Sequence, residues 1–257
     1  RLQDWIGQTE TGDRAELSFE PKDSWGRVCA DDTCPGRKCH LQDDCFFVRA
    51  RKRLHRAGGI VCNHALFFTD LNLRDSSSGA ASLLPDYRYL IFDEAQHIES
   101  IARRTMSIEV SNMRLQVLLN QLRKREGCHL DAIHKAFALN GSFFDAVDHL
   151  ESNNKHTLFP TPELIKLGQR LQEAVKDTAR MFAIDLVGER ENAIFKCLDR
   201  FRQDLREIME ADDPERVYWV EKSERKKRKL ITMHATHLNV AENLDRLLFY
   251  NDDLSSA

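Results

Sequence analysis

Along the first hundred residues apolar positions come in short runs. Residues 1–9 have weak helical character, and TGDRAEL marks a turn into another short element. From 21 to 45 the chain is rich in Gly, Pro, Asp and Cys with little apolar periodicity. A segment that buries so little surface cannot offset the entropy of ordering itself. FFVRARKRLHRAG, Phe46 to Gly58, predicts a basic helix ended by the Gly58-Gly59 pair. GIVCNHALFF predicts a short apolar strand, Ile60 to Cys62, with a turn at Asn63-His64, and DSSSGAAS reads as a loop. In YRYLIFDEAQHIES a second buried strand, Tyr89 to Phe92, ends in the acidic pair Asp93-Glu94 and opens into a helix.

The texture changes after about Ile108. From there to Ala211 apolar residues recur at three- and four-residue spacing, as in MRLQVLLNQLRKRE and ELIKLGQRLQEAVKDTARMFAIDLVGE, the mark of packed helices. The loop ESNNKHTLFPTP separates two helical groups. RVYWVE and KLITMHA then flank a polar turn and predict a hairpin, before the amphipathic NVAENLDRLLFY. The expected fold class is α/β, with a helical block inserted between parts of one domain.

At 257 residues and 42% hydrophobic content the chain is long enough for two domains. No apolar run approaches the roughly twenty residues that span a bilayer, and no signal peptide is visible, so a soluble, cytoplasmic protein is expected. A net charge of -3 excludes a globally basic nucleic-acid binder, though not a local basic face. The sequence begins with Arg and stops at SSA, which reads as a piece of a larger protein.

Four of the seven cysteines, Cys29, Cys34, Cys39 and Cys45, lie within seventeen residues. Cytosolic thiols are kept reduced, so so tight a cluster points to metal. An iron–sulfur cluster takes four thiolates; zinc more often draws on closer pairs; unbound thiols are the third alternative. Cys62, Cys128 and Cys197 read as small buried hydrophobes.

An apolar strand followed by Asp-Glu-Ala-Gln and a helix is the arrangement of a Walker B box. Asp93 would hold Mg²⁺ and Glu94 would act on the attacking water. Acids are also favoured at any helix N-terminus, which is the plainer alternative. Basic residues crowd RARKRLHR, LRKRE and SERKKRKL. The last two suit solvated surfaces, whereas the first adjoins the cysteine loop and the rings of Phe46 and Phe47. Such a group suits the phosphates and bases of a single strand, although the rings equally suit a core. No Gly-Lys dipeptide occurs, so the chain carries no G-x-x-x-x-G-K-[ST] phosphate loop and by itself is not expected to hydrolyse ATP.

TETGDRAEL, DDTCPGRKC with CFFVRAR, IVCNHALFFTDLNLR and LLPDYRYLIFDEAQHIE occur in this order. Together they resemble the DinG/XPD family of superfamily 2 DNA helicases, nearer the DinG branch. The resemblance implies a 4Fe–4S cluster on Cys29, Cys34, Cys39 and Cys45, a helical arch, and Mg²⁺- and ATP-dependent 5′ to 3′ unwinding of DNA by a cytoplasmic monomer active in DNA repair. Asp93, Glu94 and Gln96 would be catalytic, with Asp93 also meeting the cofactor. Arg49, Arg51, Lys52, Arg53, Asn63 and His64 would contact single-stranded or forked DNA. The implied domains are 1–20, the end of an upstream part of motor domain 1; 21–58, the iron–sulfur domain; 59–107, motor domain 1 with the DEAQ box; 108–212, the arch; and 213–257, the return to motor domain 1. The phosphate loop would precede Arg1, and a second motor domain would follow Ala257.

Two departures stand out. Gln96 replaces the His of the usual DEAH box. In DinG-like proteins three ligands follow the spacing of Cys34, Cys39 and Cys45 while the first lies farther upstream, which leaves Cys29 either a ligand or a neighbour. A non-enzymatic metal-stabilised DNA-binding module and a ferredoxin-like electron carrier are the alternatives from other classes.

Overall fold

Ile194, Leu198, Phe201, Leu205 and Ile208 recur every three or four residues and are fully buried. They are the inner face of helix α8 (Glu189–Glu210). At about 1.5–3 kcal/mol for each buried side chain, that stripe alone contributes on the order of 10 kcal/mol against the entropy of ordering the chain. It packs in one core with α5 (Asn112–Leu122), α6 (Leu130–His149) and α7 (Pro162–Asp185), through Leu119, Phe143, Phe144, Leu171 and Phe182. Gly168 permits the close approach of these helices, since a Cβ there would lie 3.2 Å from Met209 and 3.4 Å from Phe143. The computed structural model describes residues 1–30, 34, 36–77, 81–124, 129–150, 154–185, 189–225 and 228–249. Cys128 lies outside them, as do parts of the LRKRE and SERKKRKL segments.

The helix starts are set by local chemistry. Ser111 Oγ accepts the Arg114 N–H at the head of α5, and Thr161 Oγ1 accepts the Leu164 N–H beside Pro162 at the head of α7. Both satisfy an amide that the first helical turn leaves unpaired.

The expected hairpin is present as β3 (Arg216–Arg225) and β4 (Arg228–His237). Two short strands went unpredicted: β1 (Ile108–Ser111) and β2 (Lys155–Thr157). The four form an antiparallel sheet of order β1-β4-β3-β2, in register at Ile108↔Ala235, Trp219↔His234 and His156↔Val220. Tyr218, Val220, Ile231, Met233 and Ala235 alternate onto the face that covers the helical core. The hairpin therefore shares its core with the helical block, although the sequence suggested a return to the α/β part from residue 213. Its apolar alternation faces those helices, and β1 and β2 satisfy its edges.

A second, smaller core gathers Phe67, Phe68 and Leu71 from α3 (His64–Ser76), Leu84, Ala102 from α4 (Ile98–Thr105) and Leu247 from α9 (Ala241–Leu248). The return to this part of the molecule comes with α9, whose Arg246 pairs with Asp75 on α3 at 2.5 Å. The chain passes between the two cores twice, side by side: Ser107 and Thr236 share a hydroxyl bond of 2.6 Å, and Arg103 donates to the His237 carbonyl at 3.5 Å.

The segments expected as buried strands differ most. Ile60–Cys62 and Tyr89–Phe92 join no ladder among the described residues, and Val61, Tyr89 and Ile91 are 103%, 87% and 92% exposed. Both carry strand-forming side chains without a neighbouring strand to cover them. What holds the second segment is its approach. Asp70, fully buried on α3, accepts the Leu83 and Leu84 amides and pairs with Arg74 at 2.8 Å. Arg74 in turn donates to the Leu84 carbonyl at 2.6 Å and to Asp86 at 2.9 Å.

At the other end, the basic helix is α2 (Phe46–Leu54), shorter than the predicted Phe46 to Gly58. The short helix α1 (Leu2–Ile6) precedes the TETG turn, in which Glu16 accepts the Thr9 and Thr11 hydroxyls and the Gly12 N–H donates to Thr9 at 2.8 Å. Gly12 has φ of 71° and lies against Phe46, whose Cγ would be 2.5 Å from a Cβ at that position. Replacing Gly12→Ala should therefore destabilise the protein by about 1–3 kcal/mol through overpacking and backbone strain, read as a lower thermal midpoint. An unchanged midpoint would show that the TETG turn does not rest on Phe46.

Candidate functional site

Asp93 and Glu94 stand at a sharp bend. Glu94 is left-handed, at φ 50° and ψ 46°, before a single 3₁₀ turn, Ala95–His97, that runs into α4. Its N–H donates to Asp93 Oδ1 at 2.9 Å, its carbonyl accepts the His97 N–H at 3.0 Å, and its carboxylate Oε2 accepts the Gln96 side-chain amide. Phe92 anchors the bend. Its ring stacks on Phe68 at 6.2 Å and meets Phe67 edge-on at 5.3 Å. His64 meets the same ring edge-on at 5.7 Å.

That last contact unites two motifs separated in sequence. Asn63 caps α3 by accepting the Leu66 N–H at 2.8 Å, so the Asn63-His64 turn faces the acidic bend. A cleft of 1210 Å³ is lined by Asn63, His64, Asp93 and Glu94 and also by Arg104, Arg114 and Arg200. Asp204, nearly buried on α8, fixes two of these cations: Arg114 at 2.6 Å and Arg200 at 3.0 Å. Cys62 also lines the cleft, and burial, followed by the Asp70 charge, pushes its thiol pKa up. Glu109 lies below its ordinary range because His234 bonds its carboxylate, which outweighs partial burial.

The cleft contains the acidic pair and the Asn63-His64 turn, but the expected cations of α2 do not line it. Arg51 donates to the Leu83 carbonyl at 2.5 Å and so braces the loop that Asp70 holds. The Arg49 guanidinium covers the Phe46 ring at 4.4 Å, and Lys52 lies 3.9 Å from Asp43. Arg53 is exposed. The sequence reading missed Arg104, Arg114 and Arg200. Their signal exists only in three dimensions, because α4, α5 and α8 meet through β1.

Cys29 is exposed, and Cys34, Cys39 and Cys45 are half-buried free thiols. The Cys39 N–H donates to the Gly36 carbonyl at 3.1 Å, and the Cys45 carbonyl accepts the Arg49 N–H at the start of α2. Among the described residues no three His, Cys, Asp or Glu side chains are gathered closely enough to hold a metal. The donor chemistry, four unpaired thiols on one irregular loop, suits a four-thiolate cluster; the folded positions do not preassemble it. Cys62 and Cys197, expected to be buried, are half-buried. A smaller groove of 560 Å³ sets Lys38 of this loop opposite Phe195, Lys196 and Arg200 of α8, so Arg200 borders both cavities.

No protein-family model matches the chain. Among curated proteins it is similar to the ATP-dependent DNA helicase YoaA of Escherichia coli, 26% identical over 263 residues, covering 96% of this chain and 40% of that relative. It matches YoaA of Haemophilus influenzae at 24% identity, with 94% and 39% covered. The ATP-dependent helicase DinG of Mycobacterium tuberculosis is 30% identical over 118 residues, 45% of this chain and 17% of that relative. The chain is similar to helicases named YoaA and DinG. It spans about two-fifths of the length of the YoaA relatives. At 96% of the chain, the match to YoaA runs through both cores, the helical block included. Among the described residues no helix is long and apolar enough to cross a membrane.

Proposed function

We propose that this chain is the DEAQ-bearing part of an ATP-dependent DNA helicase, with residues 108–212 as an arch and 59–107 as part of the first motor domain. The observation that carries the reading is the cleft lined by Asp93, Glu94, Asn63 and His64 together with Arg104, Arg114 and Arg200. Carboxylates at the end of a strand-like segment suit Mg²⁺-ATP, and arginines lining the same cleft suit a phosphodiester backbone. The bare strand-formers Val61, Tyr89 and Ile91 support the same reading. They fit a motor sheet completed by strands that carry the phosphate loop this chain lacks.

In hydrolysis Glu94 takes the proton of the attacking water. The water oxygen bonds to the γ-phosphorus, and the bond to the departing ADP oxygen breaks with its electron pair on ADP. Asp93 would hold the Mg²⁺ that accompanies ATP, which would offset the charge of the phosphates. Turnover drives 5′ to 3′ movement along a single strand that enters at a fork. In the complete protein, Glu94→Gln should lower DNA-stimulated ATP hydrolysis by about 100-fold or more while single-stranded DNA still binds. Hydrolysis within a few-fold of the original would refute the role of Glu94.

The four thiols Cys29, Cys34, Cys39 and Cys45 would hold a 4Fe–4S cluster, the ligand set that suits their loop. When bound, such a cluster ties together a segment with few buried side chains of its own. Anaerobically purified protein should contain iron and inorganic sulfide and absorb near ~400 nm, and Cys39→Ser should remove both. One stoichiometric zinc and no iron would contradict the cluster.

A further inference from the structure

We propose that Gln96 is a positioning residue for Glu94: its side-chain amide holds the Glu94 carboxylate in the orientation from which that carboxylate acts. The inference rests on Glu94 being the base, as proposed above.

The contact arises from the backbone. Residues two apart on a regular helix do not face each other. Here they meet because Glu94 is left-handed, at φ 50° and ψ 46°, immediately before the 3₁₀ turn. A left-handed conformation costs a non-glycine residue on the order of 1–2 kcal/mol and persists only where its surroundings fix it. Two bonds do so: the Glu94 N–H to Asp93 Oδ1 at 2.9 Å, and the His97 N–H to the Glu94 carbonyl at 3.0 Å. The Gln96 amide then closes on Glu94 Oε2, and Oε1 has no hydrogen-bond partner among the described residues. One oxygen is held while the other remains available in the cleft.

The identity of the donor matters. Both residues are exposed, so an untethered carboxylate would rotate among its rotamers. An amide supplies a donor without a charge, so it restricts the carboxylate without drawing it into an ion pair with itself. Arg104 and Arg114 line the same cleft and would attract a loose carboxylate. Gln96 therefore keeps the Glu94 carboxylate from swinging to these arginines. The same reasoning gives a physical meaning to the glutamine that replaces the usual histidine.

The test uses the complete protein for both kinetics and spectroscopy. Gln96→Ala and Gln96→Glu, the second isosteric but lacking the donor, should each lower kcat for ATP by about 10–100-fold. The KM for ATP should stay within about 2-fold. Gln96→His, which keeps an N–H, should recover most of kcat. A purely structural role would not separate donors from non-donors of equal size. Independently of turnover, the Gln96 side-chain amide resonances should move in Glu94→Ala. Unchanged amide resonances, or Gln96→Glu with the original kcat, would overturn the positioning role while leaving Glu94 as the base. Full turnover in Glu94→Gln would overturn both.

Discussion

A buried carboxylate holds the acidic bend in place. Asp70 is fully buried on α3, and it accepts two backbone amides, Leu83 and Leu84, together with the Arg74 guanidinium. Removing one partner from such a pair leaves a charge in low dielectric and costs about 3–5 kcal/mol. The pair persists because its hydrogen bonds are filled: Arg74 reaches the Leu84 and Pro85 carbonyls, and Arg51 of α2 covers the Leu83 carbonyl. Three parts of the chain thereby become one body: the helix after the cysteine loop, the helix that starts at Asn63, and the segment leading to Asp93. The ring of Phe92 completes the assembly, inserted between the two phenylalanines of α3 and His64.

That body meets the helical block through two antiparallel passes of chain, and the placing of the cleft's arginines follows from them. β1 pairs with β4 and leads directly into α5, which places Arg114 where Asp204 of α8 can hold it. Buried carboxylates thus brace what lines the cleft, Asp70 tying α3 to the segment that leads to Asp93, and Asp204 holding Arg114 and Arg200. Neither touches the groups it serves by chance of surface flexibility; each is bonded to two or more partners.

Much of this was legible in the sequence. The three- and four-residue spacing of Ile194 to Ile208 and of Phe143, Phe144 and Val147 gave the helical block, because periodicity reports burial on one face. RVYWVE and KLITMHA read as a hairpin for the same reason. The short β1 and β2 were not readable, since three or four residues carry too little pattern and their pairing is set by β3 and β4. Ile60–Cys62 and Tyr89–Phe92 have strand composition, yet an extended segment becomes a strand only when another offers its backbone. Asp93, Glu94, Asn63 and His64 were singled out from motif order, and they line one cleft. Arg51 was read as a DNA contact, but its guanidinium caps a carbonyl thirty-two residues away, a partner no local pattern reveals.

The most direct measurement is amide hydrogen exchange at Leu83 and Leu84 in the protein and in Asp70→Asn. If the buried carboxylate holds this segment, both amides are protected in the original, and exchange accelerates by about 100-fold or more in the variant, as expected for loss of about 3 kcal/mol. Amides that exchange freely in the original, or equally slowly in both, would contradict the account.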